Sequence, residues 1–295
     1  MNLCEILGVD ADHLVQKVKP FNASKIKYPC IVNEKYDGVY CIAYCDGVDV
    51  NIFSRTGEEY LSLNHLKAEL YDYLGEETGF AIFEAYCDGV PQSTISGWCR
   101  DEQNQHNEII AIVHDNLTMK EYLGEDKTPY WKREITCDMS VYKYLRHPYR
   151  VVVSNQEQLE RIVQEVWDRG GEGIVIKNPD APYSKGKRNW DLMKLKRSVS
   201  YDLRVLALEE GQGKYKGMLG KLICQWKDGK SIKVGSGLTD EQRKAWWDTS
   251  YYTEFYKEIV GKVVQIDAMA ESSKGVLREP VFRGIRYDKK KADFE

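Results

Sequence analysis

The sequence predicts an α+β chain of two domains, a larger one that mixes strands and helices and then a small all-β barrel. Three observations carry that prediction. Apolar runs at 39–45 and 48–53 flank Asp46-Gly47, a dipeptide suited to the positive φ of a tight hairpin. Residues 62–74 and 154–169 show helical spacing between clear start and stop signals. From Leu203 onward the pattern turns to short strands between glycine-rich turns, with one helix at 239–248.

In chain order, the hairpin comes first. In 62–74 the residues Leu63, Leu66, Leu70 and Leu74 recur at helical steps, and Gly75 ends the run. Ser154 and Glu157 have the spacing of a capping box, in which each side chain bonds the other residue's backbone amide. That helix should stop at Gly170-Gly171, before a short strand at 173–177. The boundary falls near 198–200, which gives domains of 1–199 and 200–295. In the second domain, 203–209, 211–217 and 219–226 read as strand, glycine loop and strand, and 227–233 as a short connection.

No apolar run reaches the roughly 18 residues of a membrane span. The first 14 residues lack the basic and then apolar pattern of a secretory leader. The cysteines (Cys4, Cys30, Cys41, Cys45, Cys87, Cys99, Cys137 and Cys224) form no C-x-x-C pair, so buried reduced thiols in a cytosol are expected, not a zinc module. Lys plus Arg number 42 against 46 Asp plus Glu, a net charge of −4. As a sum this speaks against nucleic-acid binding. The distribution says otherwise: 57–88 hold eight acids and one lysine, 177–197 hold seven bases and two acids, and 201–295 carry +3. A field depends on where charges sit, and here the basic surface is local.

Five blocks carry chemistry. Glu34-Lys35-Tyr36-Asp37-Gly38 sets an amine beside carboxylates and a glycine, as a nucleophilic lysine requires. Ser54-Arg55-Thr56-Gly57 suits a phosphate. Phe80-Ala81-Ile82-Phe83-Glu84 is an apolar strand ending in an acid, and Gly171-Glu172-Gly173-Ile174-Val175-Ile176-Lys177 is another strand with an acid at its start. In Trp190-Asp191-Leu192-Met193-Lys194-Leu195-Lys196, alternation puts both late lysines on one strand face, which is costly unless that face meets an anion. Each block alone reads most simply as a surface turn or a solvated strand end.

Together, and in this order, they resemble the covalent nucleotidyltransferases: ATP-dependent DNA ligases, RNA ligases and mRNA capping enzymes. The chain is most similar to small ATP-dependent DNA ligases of the phage and viral kind. Arg278-Glu279-Pro280-Val281-Phe282-Arg283-Gly284-Ile285-Arg286-Tyr287-Asp288-Lys289 resembles that family's C-terminal block, so the resemblance spans 33–289. It implies an adenylation domain of antiparallel sheets with flanking helices, then an OB-fold. It also implies that ATP, with Mg²⁺ (Mn²⁺ able to substitute), places AMP on a lysine. The AMP then passes to the 5′-phosphate of a nick in duplex DNA, and the 3′-hydroxyl displaces it.

Residue by residue, the resemblance implies Lys35 as nucleophile, with Asp37, Lys194 and Lys196 in catalysis. It implies Glu34, Arg55, Glu84, Lys177, Lys187, Lys194 and Lys196 around the nucleotide, with Glu84 and Glu172 on the metal. His114 takes the place of the aromatic that stacks on adenine. Arg283, Arg286 and Lys289 match residues that close over ATP. Arg55, Lys185, Lys187, Arg188, Lys214 and Lys216 are the expected DNA contacts. The expected state is a monomer with no membrane association, no latch hairpin at 227–233 and no separate N-terminal DNA-binding domain.

Two departures stand out. The family commonly has Arg where Tyr40 stands, and often an acid where Asn33 stands. A GTP-dependent capping enzyme fits Tyr36 and Tyr40 poorly, an RNA ligase usually lacks the C-terminal block, and an NAD-dependent ligase carries a cysteine zinc module. A non-catalytic OB-fold nucleic-acid binder is the reading from another class, and the intact motif positions argue against it.

Overall fold

The computed structural model describes residues 2–75, 78–133, 138–247, 258–271 and 275–295. Contacts divide the chain into two units, one ending at Lys196 and one starting at Arg197. The first unit contains β1 (Lys17–Pro20), β2 (Cys30–Lys35), β3 (Val39–Cys45), β4 (Val50–Ser54), β5 (Gly79–Tyr86), β6 (Ile110–Thr118), β7 (Leu145–Arg146), β8 (Arg150–Val153), β9 (Gly173–Lys177) and β10 (Arg188–Lys196). They form two sheets, ordered β1-β10-β9-β2-β8 and β4-β3-β5-β6-β7. The pairings are antiparallel except β1 with β10 and β6 with β7.

Each sheet has one face under helices. The helix Gln156–Asp168 buries Leu159, Ile162, Val163 and Val166 against Val32, Val153, Ile174 and Ile176. Fully burying such a side chain stabilises by about 2 kcal/mol. On the other sheet, Cys41, Ala43, Ala81 and Phe83 pack under Leu63, Leu66, Leu70 and Ile95. Alternation then turns Tyr40 and Ile42 of β3, and Ile82 and Glu84 of β5, to the opposite face.

Several boundaries differ from expectation. The long helix is capped one residue late: Asn155 accepts from Gln158 N–H, and Ser154 N–H donates to Gln158 Oε1. Asn caps as well as Ser does, so the pair Asn155 and Gln158 replaces Ser154 and Glu157. The stretch 62–74 is a 3₁₀ segment, Leu61–Leu66, with a non-helical backbone at Leu63, followed by the helix Lys67–Leu74. In the hairpin, Asp46 Oδ1 accepts from the amides of Val48 and Asp49, so the turn is longer and Val48 belongs to it. Seven cysteines are free thiols, and Cys137 lies outside the described residues.

The second unit holds β11 (Ser198–Glu210), β12 (Leu219–Gln225), β13 (Ser231–Val234), β14 (Val263–Glu271) and β15 (Leu277–Ile285), ordered β13-β12-β11-β14-β15. A parallel bridge between Ser236 and Val281 brings the chain after β13 to β15, the two ends of that order. Leu203, Leu222, Trp226 and Ile266 fill its interior. Residues 198–200 open β11, and 227–233 include the start of β13. Thr239 caps the helix Asp240–Trp246 in a reciprocal box with Gln242, and Asp248 lies outside the described residues. Among the described residues, no helix is long and apolar enough to cross a membrane.

Candidate active site

A cavity of about 270 Å³ in the first unit is lined by both of its sheets. β2, β9 and β10 supply one wall, and their register aligns side chains in rows. Lys35 pairs with Gly173, and Gly173 with Lys196. One same-face step back, Asn33 pairs with Val175, and Val175 with Lys194. Next come Lys177 and its partner Leu192. Ile82, Glu84, His114 and Asp115 line the cavity from the other sheet.

The charged end is built on Glu172. Lys35 Nζ donates to its Oε2 at 2.6 Å, and Lys196 Nζ lies 3.2 Å from Oε1. Only 9% of the Glu172 side chain is exposed, and Oε1 accepts no hydrogen bond, so the Lys196 contact is charge proximity alone. Lys35 and Lys196 thus flank the Glu172 carboxylate, and with Lys194 they line a cavity that also holds Glu84, Asp115 and Asp191. A lysine cluster of this kind suits an anion.

Two glycines shape this end. A Cβ on Gly38 would overlap the Ala85 carbonyl and Glu84 Cγ. A Cβ on Gly173, where φ is +154°, would overlap the Leu195 carbonyl in the neighbouring strand. Gly173→Ala should therefore cost about 2 kcal/mol or more in a urea melt. A cost below 0.5 kcal/mol, within the usual range for a neutral surface change (roughly ±0.5), would show that the floor yields easily.

His114 owes its position to a bulge. Ile82 pairs with Asp115 while Phe83 pairs with Val113, so His114 is the extra residue of β6. That is why adjacent His114 and Asp115 both face the cavity. Burial lowers the His114 pKa below its ordinary 6.5, against the raising pull of Glu84, whose Oε2 lies 3.7 Å from Nε2. The folded His114 thus holds its proton less tightly than the unfolded one. Below pH 6.5 the unfolded chain takes up more protons, so stability falls as pH drops. Half-buried His65 acts in the same direction. His114→Gln should reduce this acid-side loss, measured by urea melts at about pH 7.5 and 5.5. An unchanged slope would show that His114 protonates freely in the fold.

The remaining wall was not foreseen. Lys177 Nζ is buried and donates to the His114 carbonyl at 2.7 Å and to the Tyr130 hydroxyl at 2.8 Å. Arg133 makes two hydrogen bonds to Asp115, at 3.2 and 2.9 Å. Tyr40 lines the cavity in place of the commoner arginine, and burial raises its phenol well above the ordinary value, beside Tyr183. Tyr130, Arg133, Gln16 and Tyr183 belong to none of the recognised blocks. The only signal for Asp115 is its place in the strand that supplies His114.

Of the expected residues, Lys35, Arg55, Glu84, His114, Lys177, Lys194 and Lys196 line the cavity. Glu34, Asp37, Glu172 and Lys187 do not, although Glu172 touches the lining residues Lys35 and Lys196. Glu34 lies on the other face of β2 and bonds Arg169 at 2.5 Å. Asp37 sits in the turn after β2. Lys187 and Arg188 are exposed where β10 begins, and Lys185 lies over the Tyr122 ring. Lys214 and Lys216 are exposed in the glycine loop of the second unit. There Arg283 bonds Asp267, while Arg286 and Lys289 both bond Asp202.

Among the described residues no three His, Cys, Asp or Glu side chains form a metal cluster. Mg²⁺ needs less than that, because phosphates and waters complete its shell around one or two carboxylates. The unbonded Oε1 of Glu172 suits such a site.

Comparison with known proteins agrees with this arrangement. A model of the ATP dependent DNA ligase domain matches residues 127–196, and one of the DNA ligase OB-like domain matches residues 210–286. A DNA ligase of Methanothrix thermoacetophila is 33% identical over 267 residues, covering 84% of this chain and 47% of that protein. The chain spans about half the length of the curated relatives it matches. The solved Pmar-Lig_PreS3 has a TM-score of 0.79 at 22% identity, covering 93% of this chain and 68% of its own. The bacteriophage T7 ATP-dependent DNA ligase, solved in complex with ATP, has a TM-score of 0.54 at 17% identity, covering 92% and 98%. The two structural likenesses show a shared fold.

Proposed function

We propose that the chain is an ATP-dependent DNA ligase that seals nicks in duplex DNA through an AMP adduct on Lys35. The observation that carries this reading is Glu172 held between Lys35 and Lys196, at a cavity that Lys35, Lys194 and Lys196 line. We assign adenylation to residues 1–199 and the OB-fold to 200–295.

In the first step the Lys35 amine attacks the α-phosphorus of ATP. An N–P bond forms, the bond to the bridging oxygen breaks, and pyrophosphate leaves. The amine must shed a proton, and Glu172 Oε2, 2.6 Å away, is placed to take it. Lys194 and Lys196 neutralise the oxygens of the α-phosphate, the part of phosphoryl transfer that depends on charge and position. Glu172 Oε1 would hold Mg²⁺, or Mn²⁺ in its place, with Glu84 as the second acid. The ion supplies charge neutralisation on the phosphates. Glu84 and His114 face the sugar and the base. The 5′-phosphate of the nick then takes the AMP, and the 3′-hydroxyl displaces it.

Arg55, Lys185, Lys187, Arg188, Lys214 and Lys216 are the proposed DNA contacts, in a monomer acting in the cytosol. Incubating the chain with ATP, Mg²⁺ and nicked duplex, and resolving sealed from nicked strands, tests the reading. No sealing by a chain that carries AMP would overturn the choice of substrate. Each phosphate contact releases counterions, so sealing under subsaturating DNA should fall at least about tenfold between roughly 50 and 200 mM salt. A flat salt profile would count against a phosphate-held nick.

A further inference from the structure

Glu34 and Arg169 are not part of the cavity lining, yet each stands close in sequence to one member of its reactive pair. Glu34 precedes Lys35. Arg169 is the C-cap of the helix Gln156–Asp168, three residues before Glu172. Its guanidinium donates to Glu34 Oε2 at 2.5 Å, on the face of β2 that alternation turns from the cavity. Only Gly170 and Gly171 join Arg169 to Glu172. Glycine restrains a backbone least, and Gly170, at φ +86°, uses that freedom. Such a link does not fix the acid by itself. Beyond Glu172 the chain is held by the pairing of Gly173 with Lys35.

Glu34 supplies the hold on the near side. Its Oε1 would lie 2.9 Å from a Cβ on Gly171, and Val166 crowds the same point at 2.6 Å. The link is therefore seated between the Glu34 carboxylate and the helix end. There the amides of Gly170 and Gly171 donate to the carbonyls of Trp167 and Val166, at 3.1 and 2.8 Å. The Arg169 guanidinium also lies 4.4 Å from the centre of the Tyr149 ring, and Glu34 N–H donates to the Tyr149 carbonyl at 3.0 Å. One arginine thus ties together the strand that ends in Lys35, the loop that carries Glu172 and the segment before β8. The Arg169 side chain is 41% exposed, and an ion pair so open to water adds little stability. Its contribution is geometric. We propose that Glu34 and Arg169 are positioning residues, whose pair seats the Gly170-Gly171 link and so holds Glu172 against Lys35. The step they serve is the first: the amine bonds to the α-phosphorus, pyrophosphate leaves, and the proton of the amine passes to Glu172. The inference rests on the reading of Lys35 and Glu172 as nucleophile and proton acceptor.

Two measurements on the full chain test it, with Glu34→Gln and Arg169→Met as variants of nearly unchanged volume. Hydrogen exchange at the Gly170 and Gly171 amides, followed by NMR, should be about tenfold faster in either variant, with β3 and β5 unchanged. Unchanged exchange at both amides would overturn the inference, whatever the chemistry does. In single turnovers with ATP and Mg²⁺, each variant should form the AMP adduct about tenfold or more slowly at saturating ATP. The half-saturating ATP concentration should stay within about twofold. A merely structural role would instead lower the fraction of chain that carries AMP at the end point and spare the rate constant. The double variant should be no slower than the slower single one, because the pair acts as a unit. In a Glu172→Gln background either substitution should slow the reaction by less than about twofold, since the acid it positions is gone. A full tenfold loss in that background would overturn the inference. No AMP on the unmodified chain, with faster exchange in the variants, would sink the ligase chemistry and leave the seating of Glu172 standing. Undiminished rates in both variants of a chain that takes up AMP would do the reverse.

Discussion

Lys35→Ala should abolish the AMP adduct, lowering its rate of formation by at least about 10⁴-fold, the scale on which deleting a nucleophile acts in a preorganised site. The unmodified chain with ATP and Mg²⁺ should gain the mass of one AMP, and the variant none, by intact-mass spectrometry. Lys194 and Lys196 also line the cavity, so an amine alone does not qualify. Lys35 differs in its contact with Glu172 Oε2 at 2.6 Å and in ending β2 beside Gly38, where no side chain fits. The variant leaves Glu172 near Lys196, 3.2 Å from Oε1, so the carboxylate keeps a charge partner and the fold should hold. An equal AMP gain on Lys35→Ala would move the nucleophile to another lysine.

Glu172→Gln should be almost as damaging while changing almost no volume. The amide cannot take the Lys35 proton, and it removes the negative charge between Lys35 and Lys196. Adduct formation should fall about 10²- to 10⁴-fold, the range of general acid–base catalysis. The loss should sit in the chemical step, with ATP affinity changed far less, and single-turnover kinetics separate the two. Wild-type rates in the variant would remove both the proton-accepting and the metal-holding role from Glu172.

Much of the site was legible because its chemistry is local. A lysine followed by a turn glycine, an acid opening a strand, and two lysines on one strand face are patterns of one to seven residues. The strand patterns around Lys35, Glu84 and Lys194 are all present in the structure. Other parts were not legible. Glu34 adjoins Lys35 in sequence, but alternation turns it to the other face and to Arg169. Asp37 shares the motif yet falls in the turn beyond the cavity. His114 and Asp115 could not both face inward in a regular strand, and only the bulge opposite Ile82 and Phe83 allows it. Tyr130 and Arg133 are the first and last residues of a short helix with no motif, and they enter the wall through bonds to Lys177 and Asp115. The net charge of −4 is a sum over the whole chain, and it conceals that folding brings Lys35, Lys194 and Lys196 to one cavity.

By itself, the sequence determined the elements, the α+β division and the order of the reactive side chains along the chain. Spacing, capping and turn preference act over a few residues and are written locally. Tertiary structure alone decided which of those side chains share one cavity. The row that joins Lys35, Gly173 and Lys196 comes from strands far apart in the chain. Its register depends on long-range backbone pairing, with the glycine leaving room for its neighbour's carbonyl, and no local periodicity encodes that pairing.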